Sequence, residues 1–121
     1  MTVLDIRYTQ PNDPLLMIQV RGYKRPIKLS DIVLVEGQEN YTYFHLKNGE
    51  RVLCSRTLRL FEDTLLPHCF IRINKSMIIN VCHVQEFSLD GTLILKLPNN
   101  QWYACSRRRS MGVKKAIISY H

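Results

Sequence analysis

No acidic residue follows Asp90. Six of the 17 basic side chains do: Lys96, Arg107, Arg108, Arg109, Lys114 and Lys115. Upstream the two signs nearly balance, so the net charge of +7 is concentrated in the last quarter of the chain. A one-signed segment of this kind points to a polyanionic partner, because cations that neutralise phosphates release condensed counterions. A solvated basic surface is the plainer alternative, and charge by itself does not separate the two.

Other absences narrow the class. No apolar run approaches the roughly 20 residues that span a bilayer, so no membrane insertion is expected. The start, "MTVLDIRYTQ", lacks the basic and then apolar regions of a secretory signal, and the expectation is a cytoplasmic protein. The cysteines, Cys54, Cys69, Cys82 and Cys105, form no C-x-x-C pair. That argues against a zinc ribbon or a thioredoxin-type site. Cys69, Cys82 and His83 could in principle meet at a metal, but free cysteines more often pack as small apolar residues. No cofactor is expected. There is no G-x-S-x-G elbow, no phosphate-binding loop and no dinucleotide fingerprint. Ser55, Ser76 and Ser106 therefore have no recognisable activating partner among His45, His68, His83 and His121, and no enzymatic activity is expected.

What is present is a chain of 121 residues, 45% hydrophobic and 22% charged, which is one globular domain's worth. Residues 1–15 read as a lead-in, broken by "QPNDP" (10–14), and residues 16–121 as the domain. "LLMIQV" (15–20) and "RPIKL" (25–29) are strand candidates around a turn at "RGYK". "IVLVEG" (32–37) is a compact apolar run and predicts a buried strand. In "YTYFHLKNGERVLCSR" (41–56), Asn48-Gly49 tolerates the positive φ of a type I′ turn and predicts a hairpin. Thr42, Phe44 and Leu46 alternate there with Tyr41, Tyr43 and His45, so one set faces the core. "TLRLFEDTLL" (57–66) switches period: Leu58, Phe61 and Leu65, with Leu66 adjacent, make one helical stripe, stopped by Pro67. Asp90-Gly91 predicts another hairpin and "PNNQ" (98–101) a further turn. "WYAC" (102–105) is a strand, and "MGVKKAIISYH" (111–121) is capable of a short terminal helix. The reading is mainly β and antiparallel.

Three polar stretches adjoin these strands. In "RINKSMIINV" (72–81), Arg72, Asn74, Lys75 and Ser76 stand directly before the apolar Met77-Ile78-Ile79. A polar half that grips a partner and an apolar half that anchors the grip would explain the pattern; a strand end with a polar rim is the alternative. In "CSRRRS" (105–110) the strand must end before all three arginines can serve one side, since alternate side chains of a strand diverge. An arginine loop there can set one guanidinium on a guanine edge and leave its neighbours for phosphates, or be a solvated turn. In "EGQENYTYF" (36–44), Gln38 and Asn40 are able to meet bases or phosphates.

In this order, "DIVLVEGQENYTYFHLKNGE" (31–50), "FIRINKSMIINVCHV" (70–84) and "YACSRRR" (103–109) resemble the LytTR DNA-binding domain of bacterial transcription regulators. The likeness runs from about residue 16 to about residue 118 and includes the intervening helix. It implies an elongated arrangement of small antiparallel sheets with one or two short helices. It further implies sequence-specific binding of double-stranded DNA through loops that enter the major groove, in the manner of a response-regulator output domain. By position, the base contacts would fall at Asn40, Lys75 and Arg107. Arg72, Asn74, Ser76, Arg108 and Arg109 would then meet phosphates. The family often has histidine where this chain has Asn74. Asn80 is expected to satisfy backbone groups at the far end of its strand. Repeated half-sites and a homodimer on DNA are implied as well, and a stand-alone form would need another control, such as a regulatory protein partner. Most relatives carry a receiver domain ahead of this one; here the expectation is either a stand-alone regulator or a piece of a longer chain. The rival from another class is a protein-interaction module with weak DNA affinity, which calls for an exposed apolar patch. A third reading has Tyr41, Tyr43, Trp102 and Tyr103 stacking single-stranded bases.

Overall fold

A computed structural model describes residues 5–8 and 14–121. Eleven strands among them form three antiparallel sheets. Strands β1 (Asp5–Tyr8), β2 (Pro14–Val20) and β3 (Tyr23–Lys28) make the first. The central sheet contains β4 (Ile32–Gln38), β5 (Tyr41–Leu46), β6 (Arg51–Cys54), β7 (Phe70–Asn74) and β8 (Met77–Asn80), in the order β6-β5-β4-β8-β7. Strands β9 (Glu86–Asp90), β10 (Thr92–Lys96) and β11 (Trp102–Ala104) make the third, with β10 in the middle. Among the described residues two α-helices complete the fold, α1 (Leu58–Leu65) and α2 (Arg107–Tyr120). The mainly β class expected from the sequence is what the chain adopts.

The run "IVLVEG" is apolar without alternation because β4 is buried on both faces. Ile32 and Val35 join one core with Leu16, Ile18 and Ile27 of the first sheet and Leu58, Phe61 and Leu65 of α1. Val33 and Leu34 join a second core with Leu93 and Leu95 of β10 and Val113 and Ile117 of α2. A register shift between Ile32 and Leu34 turns the strand so that this distribution is possible. Strand β8 divides the same way, Ile78 to the first core and Ile79 to the second. The central sheet is therefore the wall between two cores, and the elements around it are placed by burial.

The amphipathic segment forms α1 as its stripe requires, and Phe61 meets Phe44 edge to face with ring centroids 4.9 Å apart. Leu66 departs from the stripe: it is exposed, because the chain tightens into a 3₁₀ turn over Leu66–His68 at Pro67. The hairpin at Asn48-Gly49 is present with a different turn. Only Gly49 takes a positive φ (+94°), and Asn48 Oδ1 accepts from the Glu50 amide at 2.9 Å. The loop spans four residues between β5 and β6, since Leu46 N donates to Glu50 O, so it is not the two-residue type I′ turn. Residues 5–8 of the expected lead-in pair with β2. Most of the "QPNDP" break lies outside the described residues, and its last proline opens β2. Asn80 is buried, donates to the Ile32 and Leu29 carbonyls and accepts from Cys82 N, which is the structural role expected of it.

Candidate nucleic-acid interface

Three polar segments stand at strand ends. The first joins β4 to β5 and exposes Gln38, Glu39, Asn40 and Tyr41, with Glu39 at a positive φ of 54°. The second joins β7 to β8 through Lys75 and Ser76. The third runs from the end of β11 into the first turn of α2.

Hydrogen bonds tie the three together. Gly37 N donates to Ser76 O at 2.8 Å, linking the first segment to the second. Ser106 N donates to Ile73 O at 2.8 Å, linking the third to the second. Asn74 Nδ2 donates to Ala104 O at 2.9 Å and makes the same link from a side chain. Segments drawn from two sheets thereby form one platform.

The second segment is held from within. Asn74 Oδ1 accepts from Ser76 N at 2.9 Å and from Ser76 Oγ at 3.2 Å, an Asx-type closure of the turn. Arg72 Nη1 donates to Glu62 Oε1 of α1 at 2.8 Å, its Nε to Asn74 O at 3.1 Å, and its Nη2 to Lys75 O. The guanidinium thus cradles the turn from below with its side chain only 17% exposed. Lys75 is exposed at the tip.

The third segment differs from the loop anticipated for "CSRRRS". Arg107, Arg108 and Arg109 are the first turn of α2, a helix of 14 residues, longer than the short terminal helix anticipated from residue 111. Leu93, Leu95, Val113 and Ile117 bury one helix face, and that packing carries the helix back to the strand end. Successive helical side chains diverge by about 100°, so Arg107 and Arg108 are exposed while Arg109 is half-buried. Ser106 stands at the N-cap without a capping hydrogen bond from its side chain, and its Oγ is buried with no partner among the described residues. Three cations here oppose the positive end of the helix dipole, a local cost that an anion at this end would offset. Cys105, just before, is buried, and burial pushes its thiol up to about 11.

The anticipated residues therefore lie in or beside three hydrogen-bonded segments. Asn40, Lys75, Arg107 and Arg108 are exposed there. Arg72, Asn74 and Ser76 are engaged in holding them. Arg56 and Arg59 were not singled out from the sequence; both are exposed. Thr42 Oγ1 donates to Arg56 O at 2.6 Å, and Leu58 packs against Gly37, so the chain that carries both arginines runs beside the first segment. Only the return of α1 onto β4 reveals that. Tyr43 is half-buried with Arg51 over its ring at 4.3 Å, an arrangement that occupies one face of the ring. Among the described residues no group of three His, Cys, Asp or Glu side chains could hold a metal, and no helix is long and apolar enough to cross a membrane.

The LytTr DNA-binding domain family matches residues 23–118. No curated protein matches. Among solved structures, the chain is similar to the LytTr DNA-binding domain of a Bacillus cereus protein described as a methyl-accepting/DNA response regulator. The two share 22% identity over 85% of this chain and 95% of that one, with a TM-score of 0.71. Identity this low speaks for the fold alone, whereas the family match covers most of the sequence. This chain belongs to the LytTR family of DNA-binding domains.

Proposed function

We propose that this chain is a sequence-specific reader of double-stranded DNA that acts in transcription regulation. Asn40, Lys75 and Arg107 reach base edges in the major groove. Arg108 and Arg109, extended by Arg56 and Arg59, hold the phosphates on either side. Arg72 and Ser76 act one step back, keeping Lys75 in place. The observation that carries this reading is the platform itself: three exposed polar tips, one from each segment, joined by Gly37–Ser76 and Ser106–Ile73 hydrogen bonds. Fixed spacing between readers is what converts separate contacts into recognition of one sequence.

Selection from a random duplex library tests it. A recovered motif bound at least about a thousandfold more tightly than a scrambled duplex is the expected result. Its internal repetition and the stoichiometry of the complex would report half-sites and a dimer on DNA. Weak, steeply salt-dependent binding to every duplex would reduce the basic quarter to an electrostatic patch and end the reading.

One feature favours the second reading, a protein-docking module. Phe87, Ile118 and Val84 border an open groove of about 560 Å³ between β9 and the end of α2, with Phe87 and Ile118 exposed. If Phe87→Ser and Ile118→Ser left selected-duplex binding intact but abolished function in cells, that groove would serve a protein partner.

A further inference from the structure

We propose that Asn74 is a positioning residue: it locks the segment that presents Lys75 to the segment that presents Arg107, and does not itself touch DNA. The inference rests on the DNA-binding reading and deepens it. Four observations carry it. Asn74 Oδ1 accepts two hydrogen bonds, from Ser76 N and Ser76 Oγ, and shapes the turn. Its Nδ2 donates across to Ala104 O at 2.9 Å, three residues before Arg107. The neighbouring Ile73 carbonyl takes the Ser106 amide at 2.8 Å, so backbone and side chain make parallel links between the same two segments. Finally, Ile73 and Ala104 belong to different sheets, β7 in the central sheet and β11 in the third, and no shared strand ladder sets their offset.

An amide group suits this position. It offers two acceptor sites and two donor hydrogens in one plane. The turn uses the oxygen and the bridge uses the nitrogen, so both functions are met by one side chain. The side chain is then held between the two segments, with one N–H of its amide left over. Lys75, next in sequence, is released to the exposed tip. Because base edges repeat every few ångströms, a small slip between the Lys75 and Arg107 segments would misplace one reader whenever the other is seated.

The test has two arms, both on the full chain. In the DNA-free protein, amide hydrogen exchange is followed at Ser76 and Ser106. Asn74→Asp keeps the acceptor for Ser76 N and removes the donor to Ala104 O. It should leave Ser76 protected and speed exchange at Ser106 by about three- to tenfold. Asn74→Ala should speed both. Unchanged Ser106 exchange in both variants would overturn the clamp. In the second arm, binding of wild type, Asn74→Ala, Arg107→Ala and the double variant is measured on the selected duplex and all its single-base variants. A positioning residue predicts that Asn74→Ala relaxes preference at two separate base positions, those also relaxed by Lys75→Ala and by Arg107→Ala. It also predicts that Arg107→Ala loses much less in the Asn74→Ala background. Relaxation at one base only, or a uniform loss on every duplex, with additive effects, would make Asn74 a direct contact and overturn the proposal. If wild type selects no sequence, the DNA reading fails and this role falls with it, while the exchange arm still decides whether the clamp exists.

Discussion

The Gly37 amide donates to the Ser76 carbonyl at 2.8 Å. The pairing of β4 with β8, which runs through Leu34↔Ile79, Val35↔Ile78 and Glu36↔Met77, thus continues one step into the polar segments. Two of the three tips are extensions of a ladder anchored in both cores, which gives the platform a rigid base. The consequences can be measured.

Gly37 is also where α1 comes closest. A methyl group there would stand 2.9 Å from Leu58 Cβ, an atom that no rotamer can move. Gly37→Ala should destabilise the protein by about 1–3 kcal/mol, read from the urea midpoint. Leu58→Ala should fail to restore the loss, because the Cβ remains. An unchanged midpoint in Gly37→Ala would mean that α1 moves aside without cost.

Arg107 and Arg108 are adjacent and both exposed, yet their proposed tasks differ. Arg107→Ala should cost about 1–3 kcal/mol on the selected duplex and relax preference at one position. Arg108→Ala and Arg59→Ala should weaken all duplexes alike and each lower the salt slope by about 0.9. Equal losses for Arg107→Ala on selected and scrambled DNA would reassign it to phosphate.

The Arg72–Glu62 pair, at 2.8 Å, gives opposite predictions for two roles. If Arg72 cradles the Lys75 turn, Glu62→Gln should weaken specific binding although it removes a negative charge near the DNA. If Arg72 reaches a phosphate, freeing it from Glu62 should tighten binding. Titration of the Glu62→Gln variant with the selected duplex distinguishes the two.

Asn80 is 3% exposed and ties the start of β4 to the end of β8 through the Ile32 and Leu29 carbonyls. Asn80→Ala should cost about 1–3 kcal/mol in a denaturant melt, since buried acceptors lose their donor. A neutral result would show that water replaces the amide at this depth.

Thiol labelling probes the same packing. Cys69 is exposed, whereas Cys54 and Cys105 are buried. Burial raises the Cys105 thiol to about 11, so near pH 8 only about one in a thousand would be thiolate even if reagent reached it. Iodoacetamide should modify Cys69 in the folded protein and Cys105 only after denaturant is added. Early labelling of Cys105 would show that the segment before α2 opens.

Legibility from sequence varied with the range of the interaction. Leu58, Phe61 and Leu65 announced α1, and the alternation over Tyr41–Leu46 announced a two-faced β5, because periodicity is a local property that burial rewards directly; burial shows Thr42, Phe44 and Leu46 to be the inner set. Gly49 was correctly placed at a turn, but the turn type was not, since loop closure depends on what Asn48 caps. Three arginines directly after a strand suggest a loop, because alternate strand side chains diverge. Val113 and Ile117, docked on β10, decide that they are helical.

By itself the sequence determined which residues must be buried, where the chain turns, and that its unbalanced positive charge lies at the end; these follow from side-chain chemistry and near-neighbour spacing. Family membership was also legible, in three short segments taken in order. Only the tertiary structure decided that those segments meet, and that Arg72, Asn74 and Ser76 are hydrogen-bonded within and between them. Such facts depend on hydrogen bonds between strand ends remote in sequence, such as Asn74 to Ala104. No local pattern encodes the distance between two ends until both cores have folded and set it.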